Sequence, residues 1–439
     1  MNVLEGRIDP STVHTAAQAI HVLYHAVDAN QRKQAEAWLH EAGTSDHGWA
    51  LAVALLRTEN AETKFFGATL IRRKAAACSQ LSNLRGIRDS LCDLIVECAT
   101  DRPDVAPCAA QLCSAVAIVA VTAAASEAEP CSSLLAPGVG GAAAALFRPS
   151  VNGEYTASAA SLTVLAAMPV ELESLDIPLS AKDGVRKEMA HMLPSLLRAV
   201  HEILLSTRRA SPGAILDPTA PPQVKVMEIA AQCMSNWIPL GVSLSSLCAG
   251  PEPSLWTVLL HGLQHTTILS AVADCMLKAL ECNTTDPARP FARQALVAVT
   301  VALRPIFAAA AAGLDDAICH PIARLVAELT LADVENLSGA ADASPLWAAH
   351  TEFLLNDVLQ CPIKRIAEMV LPQFSVLEDL VFGEPPRLDC CPGLSSAVFQ
   401  NMWLQLIRAC AFEPLFSGWD QRYASLPRPV QVSSDWCLT

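Results

Sequence analysis

The chain of 439 residues carries 44 Asp and Glu against 30 Lys and Arg, a net charge of −14. That balance argues against a general nucleic-acid binder, whose surface needs an excess of cations to displace counterions. Hydrophobic residues make up 52% but aromatics only 5%, with sparse Gly (19) and frequent Pro (29), which favours Ala- and Leu-rich helices between Pro-marked loops over a hairpin-rich β fold.

In chain order, Val13, Ala16, Ala17, Ile20, Leu23 and Tyr24 recur at helical spacing, and the pattern breaks over 26–29. Asn30 is a cap for a second helix that presents Ala35, Trp38, Leu39 and Ala42 on one face and stops at Gly43. Ser45 or Asp46 opens a third, with Trp49, Val53 and Leu56 inward, and Asn60 opens a fourth, AETKFFGATLIRRK. Near Asn83 a fifth begins, where Leu84, Ile87, Leu91, Leu94 and Cys98 form a stripe. Residues 105–126, VAPCAAQLCSAVAIVAVTAAAS, supply a sixth helix without a charge. Looser text follows at 126–141, 206–222, 283–290 and 383–393, with helical text between: an amphipathic run over 186–205 around Pro194, and a face of Val226, Ile229, Ala230, Cys233 and Trp237. Helices with one apolar stripe each, joined by short loops, read as an all-α chain of antiparallel pairs. At ~40–47 residues per pair this is the period of a HEAT-type α-solenoid.

The uncharged stretch 105–126 is long enough to span a bilayer, for which about 20 apolar residues suffice. A span would interrupt a regular series of soluble pairs, and its flanks, DRPD and EAE, lack the Lys/Arg cluster that fixes orientation. A helix covered by neighbours on most sides is apolar all round, so a buried helix is expected and no membrane span. The 16 cysteines are scattered through helical text without a C-x-x-C, which reads as reduced, buried thiols in the cytosol or nucleus. The opening MNVLEGRIDP has no apolar signal core, so secretion is not expected.

Residues 23–74, LYHAVDANQRKQAEAWLHEAGTSDHGWALAVALLRTENAETKFFGATLIRRK, resemble the N-terminal repeats of importin-β-type nuclear transport receptors, most closely the importin-13 and transportin-3 branch. The features carrying it are the LYH opening, the A-x-x-W-L helix, the Trp49 helix ending in LL, and FFGATLIRRK. QLCSAVAIVAV (111–121), LTVLAAMPVEL (162–172), CMSNWIPLGVSL (233–244) and GLDDAICHPIARLVAEL (313–329) look like further repeats in order, while 133–150 departs from the pattern as an insertion would. The organisation expected is N-terminal importin-like repeats over 12–125, a loop or insertion over 126–157, further HEAT repeats over 158–425 and a tail over 426–439. The resemblance implies a receptor that binds Ran-GTP through its N-terminal repeats, carries protein cargo and contacts FG-repeat nucleoporins, moving between cytoplasm and nucleus. It points to Glu36, Asn60, Glu62, Lys64 and Arg72 as the Ran-facing residues. Members of this branch are longer, so the chain is expected to correspond to their N-terminal half. A Ran-independent HEAT-type scaffold fits the composition equally; only the N-terminal resemblance separates the two.

No catalytic constellation stands out: there is no G-x-S-x-G, G-x-x-x-x-G-K-[ST] or H-E-x-x-H. No enzyme activity and no cofactor are expected. His21 and His25, four apart on one helical face, have the spacing of zinc ligands, but no Cys or carboxylate in nearby sequence completes a set, so no metal site is expected. Ser211 in RRASP is a plausible phosphorylation site in a loop. In 394–416, Val398, Met402, Leu406 and Ala409 form one stripe, and Phe399, Trp403, Leu404 and Ile407 another. Two apolar faces suit an internal repeat, and self-association or partner binding through this end is expected if no further repeat covers it.

Overall fold

The computed structural model of the chain describes residues 6, 8–45, 47–78, 83–101, 106–126, 155–210, 221–250, 252–334, 345–370 and 372. Among them the regular structure is entirely helical, with no strand. The expectations on Asp46, on 133–150 and GVGG, on Ser211, and on 383–393, 394–416 and 426–439 lie outside the described residues. Two compact units divide the chain, residues 1–296 and 297–439.

The first unit opens with α1 (Pro10–His25), α2 (Ala29–Thr44), α3 (Gly48–Leu56) and α4 (Ala61–Ala76). Asp9 caps α1, accepting from the Ser11 amide at 3.1 Å. The cap of α2 is Asp28, not Asn30: its carboxylate accepts from the Asn30 amide at 2.9 Å, so the helix starts earlier than expected. Gly43 does not stop α2 either. It lies buried within the helix, and a Cβ there would meet the Leu70 side chain at 2.8 Å, so its value is close approach to α4. Ser45 closes α2, its hydroxyl donating to the Ala42 carbonyl at 2.7 Å, and α3 starts at Gly48 with no side-chain cap. Asn60 caps α4 as expected, accepting from the Thr63 amide at 3.0 Å. Ala16, Ile20, Leu39, Leu51 and Leu55 form the core beneath these helices.

Next come α5 (Leu84–Asp101) and α6 (Ala106–Ala125). Leu84, Ile87, Leu91 and Leu94 of α5 are buried, as their spacing predicts. In α6, residues Cys108–Ala125 are long and apolar enough to cross a membrane and are mostly buried inside the protein. The unit continues with α7 (Tyr155–Ser174), α8 (Leu179–Ala210), α9 (Pro221–Trp237), α10 (Leu244–Cys248), α11 (Leu255–Gly262), α12 (Leu269–Cys282) and the start of α13 (Arg289–Ala302). The loop expected over 206–222 is shorter than predicted, because α8 runs through Pro194 to Ala210 and α9 begins at Pro221.

Packing in this unit is sequential. α1 lies on α2, α3 on α4 and α5 on α6, while α4 packs on α6, α6 on α7, α7 on α9, and α9 on α12. Polar ties hold this row of helices. The Arg72 guanidinium of α4 donates to Ser114 of α6 at 3.0 Å and to Glu171 of α7 at 2.9 Å, and Ser114 also donates to Glu171. Further along α7, Pro169 has no N–H for the carbonyl of Leu165, four residues back, and its ring disturbs the same turn. Trp237 of α9, fully buried, donates its indole N–H to the Leu165 carbonyl at 2.7 Å, and Asn236 donates to the Ala166 carbonyl at 2.9 Å. The helix that proline interrupts is thus completed by side chains of its neighbour.

The second unit contains the end of α13, α14 (Arg304–Ala312), α15 (Asp316–Val334), α16 (Pro345–Phe353) running into a π-helical turn (Leu354–Val358), and α17 (Lys364–Glu368). Phe307 and Phe353 meet edge to face at 5.5 Å. Arg304 pairs with Asp357 at 2.7 Å, Arg365 pairs with Asp316, and the buried His350 reaches Thr330 Oγ1 at 3.2 Å.

Candidate interaction surface on the first four helices

Between α1, α2 and α4 lies a cleft of about 650 Å³. Its floor is apolar, with Leu23, Leu39, Phe66 and Leu70, and Lys33, Glu36, Arg73 and Lys74 stand among its lining residues. Two aromatic rings in its lining reach solvent, Tyr24 at 49% and Phe65 at 37% exposure. The α3–α4 approach that supports one wall depends on Gly67, where a Cβ would meet the Ala52 carbonyl at 2.7 Å and the Leu56 amide at 2.8 Å. An apolar floor with exposed aromatics and charges of both signs has the composition of protein interfaces, where aromatics anchor and charged groups orient a partner.

The five residues expected to face a partner separate here. Glu36 is exposed and lines the cleft. Asn60 is occupied as the cap of α4. Glu62, in the first turn of α4, accepts from His25 Nε2 at 3.0 Å through both carboxylate oxygens. Lys64 is close enough to Cys108 to oppose the rise that burial imposes on that thiol, which puts its charge toward α6. Arg72 is committed to Ser114 and Glu171. Of the basic run 72–74, Arg73 lines the cleft while Lys74 both lines it and donates to the Ser45 carbonyl at 3.0 Å. Tyr24, placed in the apolar stripe of α1 by its spacing, is instead half exposed in the cleft, and Phe65 of the FFGATLIRRK helix and Lys33 line it as well.

A carboxylate from another helix lies beside the His21/His25 pair: His21, His25 and Glu62 hold their candidate ligand atoms within 4.8 Å of one another. Glu62 lies 37 positions from His25, outside the nearby sequence.

Most of the described cysteines are buried. Ten free thiols are described, eight of them buried, and burial pushes Cys92 and Cys275 up to about 12 and Cys78 to about 11. Those three stay protonated near neutral pH, and the thiolate is the nucleophile.

No family model matches the chain, and no curated protein matches it.

Proposed function

We propose that the chain is a HEAT-type α-solenoid of the importin-β class, a nuclear transport receptor that binds Ran-GTP through its N-terminal helices and takes protein cargo between cytoplasm and nucleus. The observation that carries this reading is the succession of helix pairs α1/α2, α3/α4 and α5/α6 together with the row α4–α6–α7–α9–α12, in which each helix packs on the next. A stack in which each repeat contacts its neighbours is the organisation of a solenoid, and it offers long surfaces for wrapping partners. The resemblance over 12–125 selects the receptor from among solenoids. The cleft with Glu36 on its wall supplies a surface for the GTPase, and the charge of −14 suits basic or RNA-binding cargo. FG-repeat nucleoporins complete the partner set; neither direct nucleic-acid contact nor a membrane span belongs to this reading.

Pull-down of Ran loaded with GTP or GDP tests it. The GTP form should be retained selectively, and Glu36→Lys, reversing a charge on the cleft wall, should weaken retention about tenfold without loss of helix content. Equal capture of both nucleotide forms, or of neither, would replace the receptor with a Ran-independent scaffold.

A further inference from the structure

We propose that His21, His25 and Glu62 form a binding site for a divalent transition-metal ion, zinc in the first instance, which bridges α1 and α4. This goes beyond the receptor reading and does not depend on it. His21 and His25 stand one helical turn apart on α1 with ring centroids 4.5 Å apart, the spacing by which a helix presents two imidazoles to one ion. Glu62 comes from the first turn of α4, and both of its oxygens lie 3.0 Å from His25 Nε2. The ligand atoms fall within 4.8 Å of one another. Tetrahedral zinc with arms of ~2.0–2.1 Å holds its ligands about 3.3 Å apart, so side-chain rotation closes the set without moving either helix.

The donor set selects the ion. Two imidazoles and one carboxylate are the borderline ligands of zinc and its transition-metal neighbours, whereas calcium and magnesium take mostly oxygen. Both histidines are exposed and Glu62 half-buried, which leaves the fourth position to water and an open path for entry. Among the described residues the His21 side chain makes no hydrogen bond or ion pair and its ring lies against His25, so a simple His25–Glu62 ion pair accounts for two members of the cluster and leaves His21 unexplained. Binding would pin the first helix pair to the second at the end of the cleft where Tyr24 and Phe65 stand.

The test is titration of the tag-free, full-length chain with cobalt(II), followed by displacement with zinc. One equivalent of cobalt should give ligand-field absorption without the thiolate charge-transfer band that any of the 16 cysteines would produce. His21→Ala leaves the His25–Glu62 pair intact, so its effect reports ligation and not fold. It should weaken cobalt binding by at least about tenfold, the low end of what losing even an outer support of a metal ligand costs. Glu62→Gln should weaken binding as well, with circular dichroism unchanged in both variants. Equal cobalt affinity in wild type and His21→Ala, or a spectrum carrying only the thiolate band, would overturn the assignment.

Discussion

Replacing Trp237 by Phe tests whether α9 completes the turn that Pro169 opens in α7. The indole is fully buried and its N–H lies 2.7 Å from the Leu165 carbonyl, which has no helix donor because its partner four residues on is proline. The smaller ring removes about 40 Å³, and at ~24 cal/mol per Å³ of cavity that void costs about 1 kcal/mol. Stranding a buried carbonyl adds about 1–3 kcal/mol, for a total of about 2–4. Pro169→Ala supplies the missing backbone N–H, so in that background Trp237→Phe should cost only the void, about 1 kcal/mol. The cycle therefore predicts a coupling of about 1–3 kcal/mol between two residues 68 positions apart. Native-state hydrogen exchange over 160–168 reads the opening free energy of α7 locally, which suits a chain of two units better than a single melting curve. If Trp237→Phe costs the same with and without proline at 169, the indole N–H is not what satisfies the carbonyl and the reasoning fails.

Two further substitutions probe the other ties. Arg72→Met leaves Glu171, whose side chain is 6% exposed, with the Ser114 and Ser174 hydroxyls but without its cation; because the Arg72 side chain is itself 43% exposed, the loss should be about 1–3 kcal/mol, below the range for a fully buried pair, and adding Glu171→Gln should recover part of it in urea unfolding. Asp286 accepts from the Ser245 amide at 3.0 Å, from the Ser245 hydroxyl at 2.5 Å and from the Ala288 amide at 2.8 Å. Desolvation raises its carboxyl, but these donors outweigh it and hold the group below its usual 3.8. A depressed carboxylate contributes fully above its unfolded value and loses that contribution as pH falls through the folded one. Asp286→Ala should thus cost about 2 kcal/mol near neutral pH, with the difference fading below pH 3.8; a difference that persists undiminished in acid would contradict the assignment.

What the amino-acid text discloses and what it hides divide along physical lines. The stripe of Leu84, Ile87, Leu91 and Leu94, the cap at Asn60 and the uncharged run of α6 are local signals, set by a 3.6-residue period or a single hydrogen bond three residues long, and all three are where they were expected. Asp28 and Asn30 are both good caps, and which one wins depends on where α1 delivers the chain, a fact outside the local text. Gly43 reads as a stop and acts as a clearance for Leu70, because the same missing Cβ serves either purpose. The candidate site shows the same limit. Two of the proposed metal ligands stand at a spacing of four, and the third lies beyond two intervening helices.

A few polar side chains give the row of helices its register. Helix faces as rich in Ala as that of α6 offer shallow, repetitive surfaces, and apolar burial alone distinguishes poorly between one register and a neighbouring one displaced by a turn. Directional bonds distinguish them sharply, since a displacement of one turn, about 5.4 Å, breaks every one. Arg72, Ser114 and Glu171 fix α4, α6 and α7 together, Asn236 and Trp237 fix α9 to α7, and Asn283, just past α12, donates to the Val242 carbonyl at 3.0 Å. Each bond joins segments at least 41 residues apart, so each encodes a relation between repeats instead of a property of one. The apolar stripes decide that helices stack; the few polar groups set among them decide how each one sits on the next.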